Sequence, residues 1–296
     1  MKNKVTIIGA GNVGATIAYT LVARGNVSEI VLIDINNNKA EAEALDIRQS
    51  SHYLSNTTIK SGSYEDSVNS DIVIITSGIG RKPGQSRLEL TQTNVNILKS
   101  ISEEISKFNP NAIYIIVSNP VDVLTYFFHK FTSIPENHII GTGTLLDTMR
   151  LKKQIADVAK TSSNNVDAIV LGEHGDSSVY PWSLNNIKVD DESKKEIEEF
   201  VKKSGSKIIS GKGATFYAIA SAVSKLVDCI VLNSNEVLPV SVMLNGEYDL
   251  SDVCLSIPCR ISSNGIEEKI VLNLEETEKE ALNNSFSILK DIINKV

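Results

Sequence analysis

Val5-Thr6-Ile7-Ile8-Gly9-Ala10-Gly11-Asn12-Val13-Gly14 governs how the rest of the chain is read. Four β-prone residues run into glycines spaced as G-x-G-x-x-G, and an amphipathic stretch, Val13 to Arg24, follows at once. Strand, glycine turn and helix in that order form the setting that cradles a dinucleotide pyrophosphate. Gly9 permits the tight turn, Gly11 lets the backbone approach the phosphates, and Gly14 lets the helix lie close on the strand. Asn12 and Val13 complete the turn at the positive end of that helix, where anions are stabilised.

Asp34 closes the next apolar run, Ile30 to Ile33, twenty residues beyond Gly14. A carboxylate there accepts hydrogen bonds from the adenine ribose hydroxyls and repels a 2′-phosphate, so the expected cofactor is NAD rather than NADP. A glycine turn that serves packing alone, with Asp34 capping a helix, is the blander account. The joint spacing of both features argues against it.

The first half repeats this unit. Ile72 to Thr76 and Ile113 to Ser118 read as further strands, rich in Ile and Val as a sheet buried on both faces requires. Ala40 to Ile47 and Leu88 to Phe108 carry helical spacing between them. The expected fold class is α/β, with a Rossmann-type doubly wound parallel sheet over residues 1–141. An α+β substrate domain is expected over 142–296. There Leu146 to Lys160, Asp191 to Ile209 and Glu275 to Lys295 read as helices, and Ala168 to Leu171, Glu236 to Leu244 and Val253 to Ile261 as strands. No stretch rich in Pro, Gly or Ser separates the halves near Gly141 to Thr144, so a packed junction is expected.

With 296 residues, 42% of them hydrophobic, the chain can bury a sizeable core. The net charge of −7 is scattered and no basic block is present, which argues against nucleic acid as a partner. Cys229, Cys254 and Cys259 form neither a C-x-x-C pair nor an even framework, as expected of free thiols in the cytoplasm. Val5 to Ile8 is too short for a signal peptide, and no later run approaches a membrane span, so no membrane partner is expected.

Leu171-Gly172-Glu173-His174-Gly175-Asp176-Ser177 sets a histidine between glycines. Asp147 and Arg150, three apart, share one face if their segment is helical. A carboxylate and a guanidinium facing one pocket would supply an acid/base partner and an anion clamp.

Along nearly its whole length the chain resembles the lactate/malate dehydrogenase family. The resemblance rests on Gly9 to Gly14, Arg81-Lys82-Pro83-Gly84-Gln85-Ser86-Arg87, Ser118-Asn119-Pro120-Val121-Asp122, Leu146-Asp147-Thr148-Met149-Arg150 and Gly172-Glu173-His174-Gly175-Asp176, in that order. It implies hydride exchange between NAD and carbon 2 of a small 2-oxo or 2-hydroxy acid. His174 is then the proton donor and acceptor, Asp147 orients it and favours its cation, and Arg150 clamps the substrate carboxylate. Arg87 polarises the carbonyl from a loop, Ile79 to Leu88, that closes over the substrate. Asn119 bonds the nicotinamide ribose or substrate region, and Thr215 borders the substrate pocket. A surface ion pair for Arg87, a turn cap for Asn119 and helix packing for Thr215 are the plainer alternatives. The family also implies a homodimer or homotetramer, and no metal.

Within the family, the residue six positions before Arg87 sorts substrates, and here it is Arg81. Lactate dehydrogenases typically carry Gln there, whereas malate dehydrogenases carry Arg to pair with the second carboxylate of oxaloacetate. Burying that guanidinium beside the methyl group of pyruvate would cost roughly 2–5 kcal/mol. Gln85 points the same way, while Glu173, Trp182-Ser183 and Thr215 resemble the lactate branch. The expectation is a lactate-type body with a malate-type selector, reducing oxaloacetate at least as well as pyruvate. Lys152 and Leu184 stand where relatives activated by fructose 1,6-bisphosphate carry Arg and His, so that activation is not expected.

Three rivals share the dinucleotide fold. A branched-chain or aromatic 2-hydroxy acid dehydrogenase calls for an apolar residue in place of Arg81. A non-catalytic NAD sensor would lack His174, Asp147 or Arg150. An NAD-dependent glycosidase needs a metal cluster that the residues do not offer.

Overall fold

A computed structural model describes residues 3–80, 84 and 86–296. Among these, Lys4–Ile8 (β1), Glu29–Ile33 (β2) and Thr58–Ser61 (β3) alternate with helices Asn12–Arg24 (α1) and Asn37–Leu54 (α2). Ile72–Ile75 (β4), Ile113–Ile116 (β5) and Ile139–Gly141 (β6) follow, with Arg87–Phe108 (α3) and Val121–Phe131 (α4) between them. The order β3-β2-β1-β4-β5-β6 is parallel throughout. The chain therefore leaves β1 toward one edge and returns to β4 on its other side. That reversal opens a crevice beyond the carboxyl ends of β1 and β4.

Both faces of these strands are covered. Val5, Ile7 and Ile72 to Ile75 have no accessible surface, which is why the strands read as continuous apolar runs rather than alternating ones.

The second half begins with Leu145–Ala159 (α5), Asp191–Lys212 (α6) and Tyr217–Val231 (α7). Glu236–Asn245 (β7), Ser251–Ser262 (β8) and Gly265–Lys269 (β9) then extend the same sheet in antiparallel fashion, and Glu276–Lys295 (α8) closes the chain. Helix ends follow their local chemistry. Ser86 and Glu89 form a reciprocal capping box at the start of α3, Asp190 caps α6, and Gly213 ends α6 in the left-handed conformation.

The expected strand from Ala168 to Leu171 does not form; Leu171 makes one isolated bridge to Val179, and Gly172 one to Ser256. Side chains hold this segment instead, with Thr144 Oγ1 donating to the Val170 carbonyl and the Val170 N–H donating to Thr148 Oγ1. Helices α4 and α7, absent from the sequence reading, are apolar over most of their surface, because α4 packs against both α3 and β7 and α7 against both α1 and β8. Cys229, Cys254 and Cys259 are buried and free, and burial pushes the Cys259 thiol up to about 12.

Candidate active site

The glycine turn follows β1 at the point where the sheet order reverses. Gly9 has φ +109°, and a Cβ there would lie 2.6 Å from Thr76 Oγ1; one on Gly14 would lie 1.8 Å from the Gly9 carbonyl oxygen. Both glycines are therefore demanded by the fold itself. At Gly11 a Cβ would meet nothing within 4 Å among the described residues, which leaves the turn open on that side to a ligand. Asp34 is tied to the same turn, its Oδ2 accepting from the Ala10 N–H at 2.7 Å and its Oδ1 from the Asn36 N–H at 2.9 Å. The open turn, the α1 N-terminus and the anchored carboxylate fit NAD.

Gly11, Asn12, Val13 and Gly14 line one end of a cleft of about 820 Å³, and Asp147, Arg150 and His174 line it further along. His174 Nδ1 lies 2.6 Å from Asp147 Oδ2, while Arg150 Nη1 donates to the other oxygen of Asp147 at 3.0 Å. The side chains of Asp147, Arg150 and His174 are 8%, 14% and 24% exposed. Asp147 and Arg150 reach the same cleft because they stand one turn apart on α5.

His174 is held by several elements at once. Gly172 exchanges two backbone hydrogen bonds with Ser256 of β8, each 2.9 Å long. The Glu173 N–H donates to Ser285 Oγ of α8 at 2.7 Å, and the His174 N–H donates to Asp122 Oδ2 of α4 at 2.8 Å. Gly172 itself has φ +81°, and a Cβ there would lie 2.7 Å from Ser285 Oγ.

The electrostatics favour a charged imidazole. Burial alone would push the His174 pKa down, but the Asp147 carboxylate outweighs it and the net direction is up. Burial likewise opposes ionisation of Asp147, and the charges of His174 and Arg150 overcome it to hold that carboxyl below its usual range. Asp122 behaves differently: burial dominates, and its carboxyl is pushed up to about 6.

Arg87 does not itself line the cleft, although its partner Asp176 does. Arg87 is the first residue of α3, and its Nη2 donates to Asp176 Oδ2 at 2.9 Å in a largely exposed ion pair. Asn119 lines the cleft, yet its Oδ1 accepts from the Val121 N–H at 3.3 Å, so it also serves as the turn cap. Thr215 lines the cleft just beyond the end of α6. Arg81 and Gln85 lie outside the described residues.

Sequence reasoning missed Asp122, although the residue stood inside a quoted motif. It also missed Asn94 of α3, whose Nδ2 donates to the Asn119 carbonyl at 2.8 Å and whose Oδ1 accepts from the Ile79 N–H at 2.9 Å. An Asn among apolar heptad-like positions of a buried helix face was the available signal. No helix among the described residues is long and apolar enough to cross a membrane.

Fold and site together define a class, the nicotinamide-dependent dehydrogenases. The pattern describing the NAD binding domain of lactate/malate dehydrogenases matches residues 3–141, and that of their alpha/beta C-terminal domain matches residues 144–296. The chain belongs to the lactate/malate dehydrogenase family and is an NAD-dependent oxidoreductase of that type.

An L-lactate dehydrogenase of Clostridium botulinum is 43% identical over 305 residues, spanning 98% of this chain and 96% of that one. One from Acetivibrio thermocellus is 44% identical over 304 residues, with the same coverage. The crystal structure of the minor L-lactate dehydrogenase of Enterococcus mundtii superposes with a TM-score of 0.97 at 36% identity, covering 100% of this chain and 98% of that chain.

Proposed function

We propose that this dehydrogenase interconverts a 2-oxo acid and its L-2-hydroxy acid, and that Arg81 directs it toward oxaloacetate and malate. The observation that carries the first part is the contact of 2.6 Å between His174 Nδ1 and Asp147 Oδ2 at the wall of the cleft. Bound NAD(H) supplies or accepts the hydride at carbon 2.

The chain's own groups handle the proton and the charges. With Nδ1 engaged by Asp147, His174 has Nε2 to exchange a proton with the substrate oxygen. Asp147 keeps the ring oriented and stabilises its cation, the role a carboxylate plays beside a catalytic histidine elsewhere. Arg150 spends one of its five N–H donors on Asp147 and retains the others for the substrate carboxylate. Arg87 polarises the carbonyl after leaving Asp176, and an exposed pair of that kind holds it by less than about 1 kcal/mol. Asn119 and Thr215 contribute to the substrate side of the cleft, and Gly9 to Gly14 with Asp34 hold the cofactor.

Substrate choice rests on Arg81. A strict L-lactate dehydrogenase is the second reading, supported by Glu173, Trp182-Ser183 and Thr215 and by the names of the relatives. The deciding experiment follows NADH consumption with oxaloacetate and pyruvate in parallel, for wild type and Arg81→Gln. An oxaloacetate preference that the substitution abolishes supports the malate reading. A pyruvate preference untouched by it leaves the lactate reading.

The family resemblance also supports a division at residues 1–141 and 142–296, a cytoplasmic setting and a homodimer or homotetramer. Light scattering on the eluting protein measures the assembly.

A further inference from the structure

Lys202, Gly205 and Ile209 recur at turns of α6 and line one wall of the cleft that also holds Arg150 and His174. The acidic groups of that cleft are already matched. Asp147 is paired with His174 and Arg150, and Asp176 with Arg87. Among the described residues Lys202 makes no ion pair; its Nζ rests 5.3 Å from the centroid of the Tyr180 ring, which lines the same cleft. A cation–π contact positions an ammonium without neutralising it. Tyr180 lines the cleft together with Asp147, Arg150 and His174, and Glu198, one turn before Lys202 on α6, accepts from Trp182 Nε1 at 2.7 Å.

Gly205 adds an independent observation. Glycine inside a helix is less stable than alanine. At Gly14 the backbone of Gly9 forbids a side chain, but at Gly205 a Cβ would meet nothing within 4 Å. Because Gly205 lines the cleft, the space a side chain would take there belongs to the cleft.

We propose that Lys202 and Gly205 form a subsite for the distal carboxylate of a dicarboxylic 2-oxo acid, Gly205 leaving the room and Lys202 supplying the charge. Arg150 takes the carboxylate next to the reacting carbon, and the second carboxylate meets the unmatched ammonium on α6. The subsite rests on the dicarboxylate reading given for Arg81 and adds a second cation carried by a different element.

The test compares kcat/KM for oxaloacetate and pyruvate in wild type, Arg81→Gln, Lys202→Gln and Gly205→Ala, with melting temperatures for each. Lys202→Gln is expected to lower the oxaloacetate-to-pyruvate ratio about fivefold, through KM rather than kcat. Gly205→Ala is expected to raise the melting temperature while raising KM for oxaloacetate, two effects a purely structural glycine would not combine. A wild-type oxaloacetate preference that Lys202→Gln leaves intact overturns the subsite alone. A wild-type pyruvate preference, indifferent to Arg81→Gln, overturns the dicarboxylate reading and the subsite with it.

Discussion

The main-chain N–H of His174 donates to Oδ2 of Asp122 at 2.8 Å, while Oδ1 of the same buried carboxylate has no hydrogen-bond partner among the described residues. Burial raises the Asp122 pKa to about 6, so between pH about 4 and that value the fold binds a proton that the unfolded chain does not. Its contribution to stability consequently falls as pH rises through this window. Asp122→Asn retains an acceptor for the His174 N–H and removes the buried charge. It is expected to raise the melting temperature by about 4 °C at pH 8, with a smaller gain at pH 5. Calorimetry at the two pH values measures both.

His174 and Asp147 predict a pH profile. Asp147 raises the His174 pKa despite burial, and 2-oxo acid reduction needs the imidazolium, so kcat/KM should hold at low pH and fall above that raised value. Asp147→Asn should move this limb to lower pH. His174→Asn should cost about 10²- to 10⁴-fold in kcat/KM while NADH still binds, as read by nucleotide fluorescence. Unchanged turnover in the latter variant would remove His174 from the mechanism.

The same pair has its own stability window. The part owed to His174 is fully present below about pH 6.5 and is lost as pH rises through the raised folded value. The part owed to Asp147 is present above about pH 4 and is lost as pH falls through the depressed one. Melting temperature plotted against pH should turn down on both sides, and His174→Asn should flatten the alkaline side.

Gly11 and Gly14 are expected to separate binding from folding. A Cβ on Gly14 collides with the Gly9 carbonyl at 1.8 Å, so Gly14→Ala should destabilise the protein by about 1–3 kcal/mol. A Cβ on Gly11 meets nothing, so Gly11→Ala should melt with the wild type yet bind NADH more weakly. Denaturant unfolding and NADH titration of the two variants supply the comparison.

Asp34 is held on the glycine turn by the Ala10 N–H at 2.7 Å, and its charge opposes a 2′-phosphate. Asp34→Ser should raise the NADPH-to-NADH ratio of kcat/KM by about tenfold or more. An unchanged ratio would show that the ribose lies elsewhere.

Four of the six parallel strands were legible because burial on both faces demands unbroken runs such as Ile72 to Ile75, whereas β3 and β6, with four and three residues, offer no such run. Helix α3 was legible because one face meets water. Helices α4 and α7 escaped notice, since packing on more than one side erases helical periodicity. Gly172, Glu173 and His174 were read as following a strand, but a run of four residues carries no record of whether a neighbouring strand will pair with it. Side-chain bonds from Thr144 and Thr148 do that work instead.

What the sequence determined by itself was the dinucleotide turn, the carboxylate at Asp34 and the one-turn spacing of Asp147 and Arg150, because each depends on contacts within a few residues or one helical period. The tertiary structure decided what those groups meet. It brought His174 to Asp147 across 27 residues and to Asp122 across 52, and it paired Arg87 with Asp176 across 89. It also set Lys202 on the ring of Tyr180 beside an open Gly205. Such meetings depend on how helices dock around a shared sheet, and no local pattern records that docking.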